Sequence, residues 1–191
     1  MSSADTTRLD REKPVSGPPL RPCVFFDRDG IVNVSPGPGY VERPEDFHLI
    51  SAWLDALRVA NERGYAAVII TNQRGVGRGL MKEKTLAEIH ALVRQAVAAQ
   101  GLVLDDIYYC SATDNAHPDR KPNPGMLLRA ARDHRLDLAR SWMVGDNESD
   151  VEAGHRAGCR AVRVSTDSEA TAAEFHIPDM ADLPALLQKL L

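Results

Sequence analysis

Two aspartates one residue apart close the run Cys23-Val24-Phe25-Phe26-Asp27-Arg28-Asp29-Gly30. The four residues before them are apolar on both faces, which predicts a short strand covered by helices on each side, and Gly30 lets the backbone turn just past its end. Paired carboxylates there repel each other unless something positive lies beside them. Mg²⁺, with its preference for hard oxygen ligands, is the simplest candidate, and a solvated Asp-x-Asp-Gly turn is the plainer alternative. Three further clusters bear on the choice: Thr71-Asn72, Lys121-Pro122, and Gly145-Asp146 followed by Asp150. Asp27, Asp29 and Asp146 can share the metal, with Asp27 and Asp146 binding by side chain. An aspartate attacking a phosphate dianion without it meets like charges at about 4 Å, a repulsion on the order of 4 kcal/mol per pair at an effective dielectric of 20. Lys121 adds a second positive charge, which Asp150 could hold in place. The Thr71 hydroxyl and the amides after it suit phosphate oxygens held for in-line displacement.

These residues must be brought together by the elements around them. Helical spacing of Trp53, Leu54, Leu57 and Ala60, closed by Gly64, predicts a helix before a strand at Tyr65 to Ile70. A second helix is expected over Lys82 to Gln100, with Leu86, Ile89, Val93 and Val97 on one stripe. Further strands are expected at Ile107 to Cys110, Trp142 to Val144 and Ala161 to Val164. Helices should run from the cap Asn123-Pro124 to His134, from Ser149 to Ala157, and over Leu183 to Leu190. Strands alternating with helices predict an α/β fold with a doubly wound, mostly parallel sheet. In such a sheet the carboxyl ends of the strands lie along one edge, where ligands bind. Each polar cluster above follows a strand, so four separate segments converge on that edge.

Composition narrows the partners. The 191 residues are 43% hydrophobic and 26% charged, a globular balance, and fit one domain over residues 21–191 behind a flexible leader at residues 1–20. The net charge of −4 argues against a nucleic-acid binder. With no apolar run near the roughly 20 residues of a membrane span, a soluble, cytoplasmic protein with no membrane partner is expected, and a monomer. The three scattered cysteines suit a reducing compartment. His48, His90, His134, His155 and His176 show no metal spacing, Cys110 reads as a small buried apolar residue, and Gly75-Val76-Gly77-Arg78-Gly79 reads as a flexible turn beside the site.

Asp27-x-Asp29-Gly, Thr71-Asn, Lys121-Pro and Gly145-Asp146-x-x-x-Asp150, in this order, resemble the haloacid dehalogenase-like phosphatases over about Val24 to Val164. That resemblance implies that Asp27 attacks phosphorus to form an aspartyl phosphate and that Asp29 is the general acid, later the base. Dehalogenase members lack the second aspartate, so the implied substrate is a phosphate ester. Gly39-Tyr40-Val41, Thr71-Asn72-Gln73, Tyr108-Tyr109-Cys110 and Arg120-Lys121-Pro122-x-Pro124-Gly125-Met126-Leu127 are similar to the heptose bisphosphate and histidinol-phosphate phosphatases within that group. The substrate would then be a small phosphorylated sugar or amino-alcohol, contacted by Arg28, Gly39, Tyr40, Asn72, Gln73, Arg74 and Arg120, with Asn147 and Asp150 in support.

Three differences from those relatives stand out. Many of them carry four zinc ligands where this chain has Cys110 and His117, so no zinc is expected. Ile31 stands where Thr is usual. Asn147 and Arg74 stand where Lys and Ser are common. The loops after the first and third strands are too short for a cap domain, so the site should be open and read its substrate through Arg74, Arg78 and Arg120. Two rivals are a nucleic-acid end phosphatase and a catalytically silent binding module on the same fold.

Overall fold

The computed structural model describes residues 19–167 and 169–191, so the leader expected at residues 1–20 lies, except for Pro19 and Leu20, outside the described residues. The strands are β1 (Cys23–Phe26), β2 (Ala66–Asn72), β3 (Asp106–Cys110), β4 (Trp142–Gly145), β5 (Arg160–Val164) and β6 (Phe175–Ile177). The helices are α1 (Ser51–Glu62), α2 (Arg74–Gly77), α3 (Glu83–Ala99), α4 (Gly125–His134), α5 (Glu148–Ala157) and α6 (Leu183–Leu190). The sheet runs in the order β3-β2-β1-β4-β5-β6 with every neighbouring pair parallel.

Residues 23–26 are fully buried because the two-residue period of the strand sends alternate side chains into two cores. Val24 and Phe26 join Ala67, Ile69, Trp142 and Val144 on the face covered by α1, α3 and α6, and Phe26 meets the edge of Trp53 with ring centroids 6.1 Å apart. Cys23 and Phe25 join Val68, Ile70 and Met143 on the other face, under Met126 and Leu127 of α4 and Ala153 of α5.

Strand order places the site. From β1 the chain winds outward through β2 to β3, then returns to lay β4 against the opposite side of β1. The crossovers on the two sides of β1 therefore diverge, and a crevice opens beyond the carboxyl ends of β1 and β4. Asp27 follows β1 and Asp146 follows β4, so both carboxylates stand at that switch point.

Three expectations need correction. β6 was not anticipated, because three residues at a sheet edge carry too little apolar alternation to register as a strand. Gly75 to Gly79 is not merely a flexible turn: Arg74–Gly77 form one turn of helix, and a side chain on Gly77 would strike the Ser111 carbonyl, so that glycine permits close approach to the loop after β3. Asn123 does not cap α4. Pro124 occupies the cap position, and the Asn123 amide donates to the carbonyls of Asn115 and His117, at 3.1 and 3.0 Å, inside the preceding loop.

Candidate active site

Asp27 continues the ladder of β1, its N–H donating to the Val144 carbonyl at 2.8 Å, and this fixes its side chain over the crevice. Its Oδ1 accepts a 2.6 Å bond from Lys121 Nζ, which also donates to the Ile70 carbonyl at 2.9 Å and lies 2.6 Å from Asp150 Oδ1. All three protons of the ammonium are thus committed. Asn72 holds Lys121 from β2: its Nδ2 donates to the Lys121 carbonyl and its Oδ1 accepts from the Lys121 N–H, each at 3.1 Å. Asp150 belongs to the capping box of α5, where its Oδ2 accepts from the Asn147 N–H at 3.1 Å. Asn147 in turn donates its Nδ2 to Asp146 Oδ1 at 2.6 Å. Gly30 sits at φ +96°, and any Cβ there would collide with the Asp146 carboxylate, so glycine is what lets the first loop and β4 approach.

The electrostatics are unbalanced towards negative charge. Asp27, Asp146 and Asp150 bring carboxylate oxygens within 4.8 Å of one another, with Lys121 as their nearest cation. Burial pushes the Asp27 carboxyl up, with Asp150 and Asp146 adding to the rise and Lys121 opposing it. Asp146 is pushed up to about 6, again by burial first and by Asp150 second. Burial alone would lower Lys121, but Asp150 and Asp27 raise its pKa well above the ordinary lysine value. This donor set fits a hard divalent cation. Both Asp150 oxygens are engaged, by Lys121 and by the Asn147 N–H, so Asp27 and Asp146 are the side chains left to hold it. Asp29 is outside this carboxylate set.

The Asp29 carboxylate accepts from Arg28, Asn33 Nδ2 and Gln73 Nε2. Arg28 and Gln73, expected as substrate contacts, are both 0% exposed and cannot touch a ligand in the crevice. Both donate to Asp29, and among the described residues Arg28 Nη1 is left buried without a partner. Asn33, read only as part of a loop, is equally buried, and nothing in its spacing marked it. Thr71, 1% exposed, accepts from Gln73 Nε2 at 2.9 Å, which leaves its own hydroxyl hydrogen for a ligand. Gly39, Tyr40, Thr71, Asn72 and Asn147 line a cavity of about 190 Å³ with the aspartates and Lys121.

Arg74, Arg78 and Arg120 gather beside Tyr40. Arg74 Nη2 and Arg120 Nε share Asn115 Oδ1, at 2.6 and 3.2 Å, and Arg78 Nη1 donates to the Tyr40 hydroxyl at 3.4 Å. Burial and then the charge of Arg74, with a smaller contribution from Arg78, lower the Arg120 pKa. Among the described residues none of the three has an ion-pair partner. Cys110 and His117, which stand alone in the sequence pattern, meet at 3.7 Å between Sγ and Nδ1. They supply two of the four ligands that a tetrahedral zinc needs.

The HAD-hydrolase-like family model matches residues 119–185. The D-glycero-beta-D-manno-heptose-1,7-bisphosphate 7-phosphatase of Yersinia pestis is 35% identical over 185 residues, which cover 87% of this chain and 95% of the relative. The chain belongs to the haloacid dehalogenase-like phosphatases. The corresponding alpha-heptose enzyme of Burkholderia mallei is 34% identical over 161 residues, 78% of this chain and 82% of the relative. Among solved structures, the D,D-heptose 1,7-bisphosphate phosphatase of B. bronchiseptica, complexed with magnesium and phosphate, superposes with a TM-score of 0.78 at 29% identity, covering 89% of this chain and 99% of the other. Among the described residues, no helix of this haloacid dehalogenase-like phosphatase is long and apolar enough to cross a membrane.

His90, set aside as a structural histidine, turns its ring towards Tyr109 behind the site, and its buried Nε2 has no partner. Burial, then the charges of Arg28 and Arg94, push its pKa down to about 4, with Asp29 opposing. The folded protein therefore binds this proton less readily than the unfolded chain. His90 costs nothing above the unfolded value near 6.5, and its penalty grows as pH falls from there to about 4. His90→Leu is expected to gain on wild type by about 2 kcal/mol between pH 7.5 and pH 5, read from urea midpoints. A gap that does not change with pH would contradict this.

Proposed function

We propose that this phosphatase removes the 7-phosphate of D-glycero-D-manno-heptose 1,7-bisphosphate through an aspartyl phosphate on Asp27, with Mg²⁺ as cofactor. The observation that carries the reading is the buried Asp27–Lys121–Asp150 chain opening into a crevice lined by Tyr40, beside which gather three arginines with no acidic partner among the described residues. When bound by Asp27 and Asp146, Mg²⁺ would supply the positive charge that lets a carboxylate approach a phosphate dianion.

The chain's own residues account for the rest. Lys121 fixes Oδ1 of Asp27, which leaves Oδ2 to attack, and its charge stabilises the phosphoryl oxygens without giving up its hydrogen bonds. The Thr71 hydroxyl hydrogen takes one phosphoryl oxygen. As the bond from Asp27 to phosphorus forms and the ester bond breaks, Asp29 gives its proton to the leaving alkoxide. A water then loses a proton to Asp29 and bonds to phosphorus, the Asp27–phosphorus bond breaks, and phosphate departs.

The arginine cluster favours a second phosphate over a cationic amine, which three guanidinium groups without an ion-pair partner among the described residues would repel; that supports the bisphosphate over histidinol phosphate. Arg78→Ala is expected to raise KM for the bisphosphate roughly tenfold with kcat little changed, because a remote group held equally in ground and transition state contributes to binding alone. An unchanged KM would remove Arg78 from the subsite.

Phosphate release from both heptose bisphosphate anomers and from histidinol phosphate, with Mg²⁺ and with chelator, tests the whole reading. Selective, chelator-sensitive turnover of a heptose bisphosphate supports it, and a preference for histidinol phosphate would replace the substrate but keep the chemistry. Silence on all three and on an aryl phosphate would favour a binding module.

A further inference from the structure

We infer that Arg28, with Asn33 and Gln73, is a positioning residue for Asp29, fixing which edge of that carboxyl faces the leaving oxygen. The inference rests on the proposed role of Asp29 as acid and base. Arg28 is fully buried, and Asp29 is its only ion-pair partner among the described residues. Its Nε and Nη2 reach Asp29 Oδ1 at 3.2 and 3.0 Å, and Nη2 also lies 3.0 Å from Oδ2. Asn33 Nδ2 adds a third donor to Oδ1 at 3.0 Å, whereas Oδ2 receives only Gln73 Nε2, at 3.0 Å, besides the shared Nη2.

The asymmetry orients the acid. Oδ1 takes three donors and Oδ2 two, one of them the Nη2 it shares with Oδ1, so Oδ2 is the less crowded oxygen, where a proton or a substrate atom displaces only a shared contact. It is also the edge tied to Thr71, because the same Gln73 Nε2 donates to Thr71 Oγ1 at 2.9 Å. The backbone makes the cradle rigid: the Arg28 carbonyl accepts from the N–H groups of Val32 and Asn33, at 2.8 and 3.0 Å, and the Gly30 N–H donates to the Asn33 carbonyl at 2.7 Å.

Stability does not explain the arrangement. A buried ion pair is often no better for a fold than well-packed apolar side chains of the same volume. What apolar side chains cannot do is hold a carboxyl in one rotamer against a reacting atom, where small displacements cost large factors in rate. Arg28 therefore serves the reaction through Asp29, out of reach of the substrate.

The test uses leaving-group dependence. A sugar alkoxide needs a proton to leave, but nitrophenolate does not, and kcat/KM reports events only through phosphorylation of the enzyme. Arg28→Lys keeps the charge and loses the planar fork. It is expected to lower kcat/KM about a hundredfold on heptose 1,7-bisphosphate but no more than about threefold on 4-nitrophenyl phosphate. Gln73→Met, which leaves the buried charge pair intact, should show the same selectivity at about tenfold. It also keeps the test decisive if Arg28→Lys does not fold. Parallel losses on both substrates, or none on either, would overturn the inference. Asp29→Asn, assayed alongside, separates the two failures. If it is unselective, the acid role of Asp29 falls and positioning falls with it; if it is selective where the Arg28 and Gln73 variants are not, only positioning falls.

Discussion

Asp27→Asn is expected to lower turnover by roughly 10⁴-fold or more on every phosphate ester while the protein stays folded. The amide keeps the shape of the carboxylate and can still accept the Lys121 bond through its oxygen. It offers no anionic oxygen to phosphorus. Burial already pushes the Asp27 carboxyl up, so removing its charge relieves a cost rather than creating one. Phosphate release together with a melting curve checks both halves of the expectation. An inactive but unfolded variant would not support the assignment, and a folded variant with more than about a hundredth of wild-type turnover would contradict it.

The second large effect concerns Asp146. Its carboxyl is raised to about 6 in the folded protein, above its ordinary value near 3.8. A carboxyl raised on folding binds its proton more tightly in the native state. The native state is therefore penalised at high pH, fully above pH 6, and the penalty vanishes as pH falls below the unfolded value. Asp146→Asn should thus stabilise the metal-free protein at pH 7.5, by on the order of 3 kcal/mol, and have no such effect at pH 3.5. Mg²⁺ should reverse the ranking, because a ligand of the native state stabilises only the protein that binds it. The expected pattern is a melting temperature that rises with Mg²⁺ in wild type and stays flat in Asp146→Asn. A variant that gains as much from Mg²⁺ as wild type would remove Asp146 from the metal site.

The elements that build this site were largely legible in the sequence because their signals are local. The apolar run of β1 ending in Asp27, the stripe of α3 and the glycine stop after α1 each depend on residues within a few positions. Parallel topology followed from alternation, and topology alone placed Asp27, Thr71, Lys121 and Asp146 on one edge. The side-chain network was less legible, because partners there are set by tertiary distance. Arg28 and Gln73 are polar residues beside catalytic positions, and sequence cannot say that both are buried and bond the Asp29 carboxylate. Asn33 could not be picked out, since a lone Asn after a glycine turn has no distinguishing pattern. Asp150 meets Lys121 as expected, but the approach of its carboxylate to those of Asp27 and Asp146 depends on the packing of α5 against the sheet and is not legible in the Asp146-x-x-x-Asp150 spacing.

The most direct measurement of the central claim is to trap the phosphoryl group. In Asp29→Asn, 4-nitrophenyl phosphate can phosphorylate the enzyme without a proton donor, whereas hydrolysis of the intermediate lacks its base. Rapid acid quench followed by peptide mapping should then find one phosphoryl group on the peptide containing Asp27, labile to hydroxylamine and absent when Asp27→Asn is added. Release of nitrophenol with phosphate appearing at the same rate and no label on that peptide, or label on another residue, would contradict an aspartyl phosphate at Asp27.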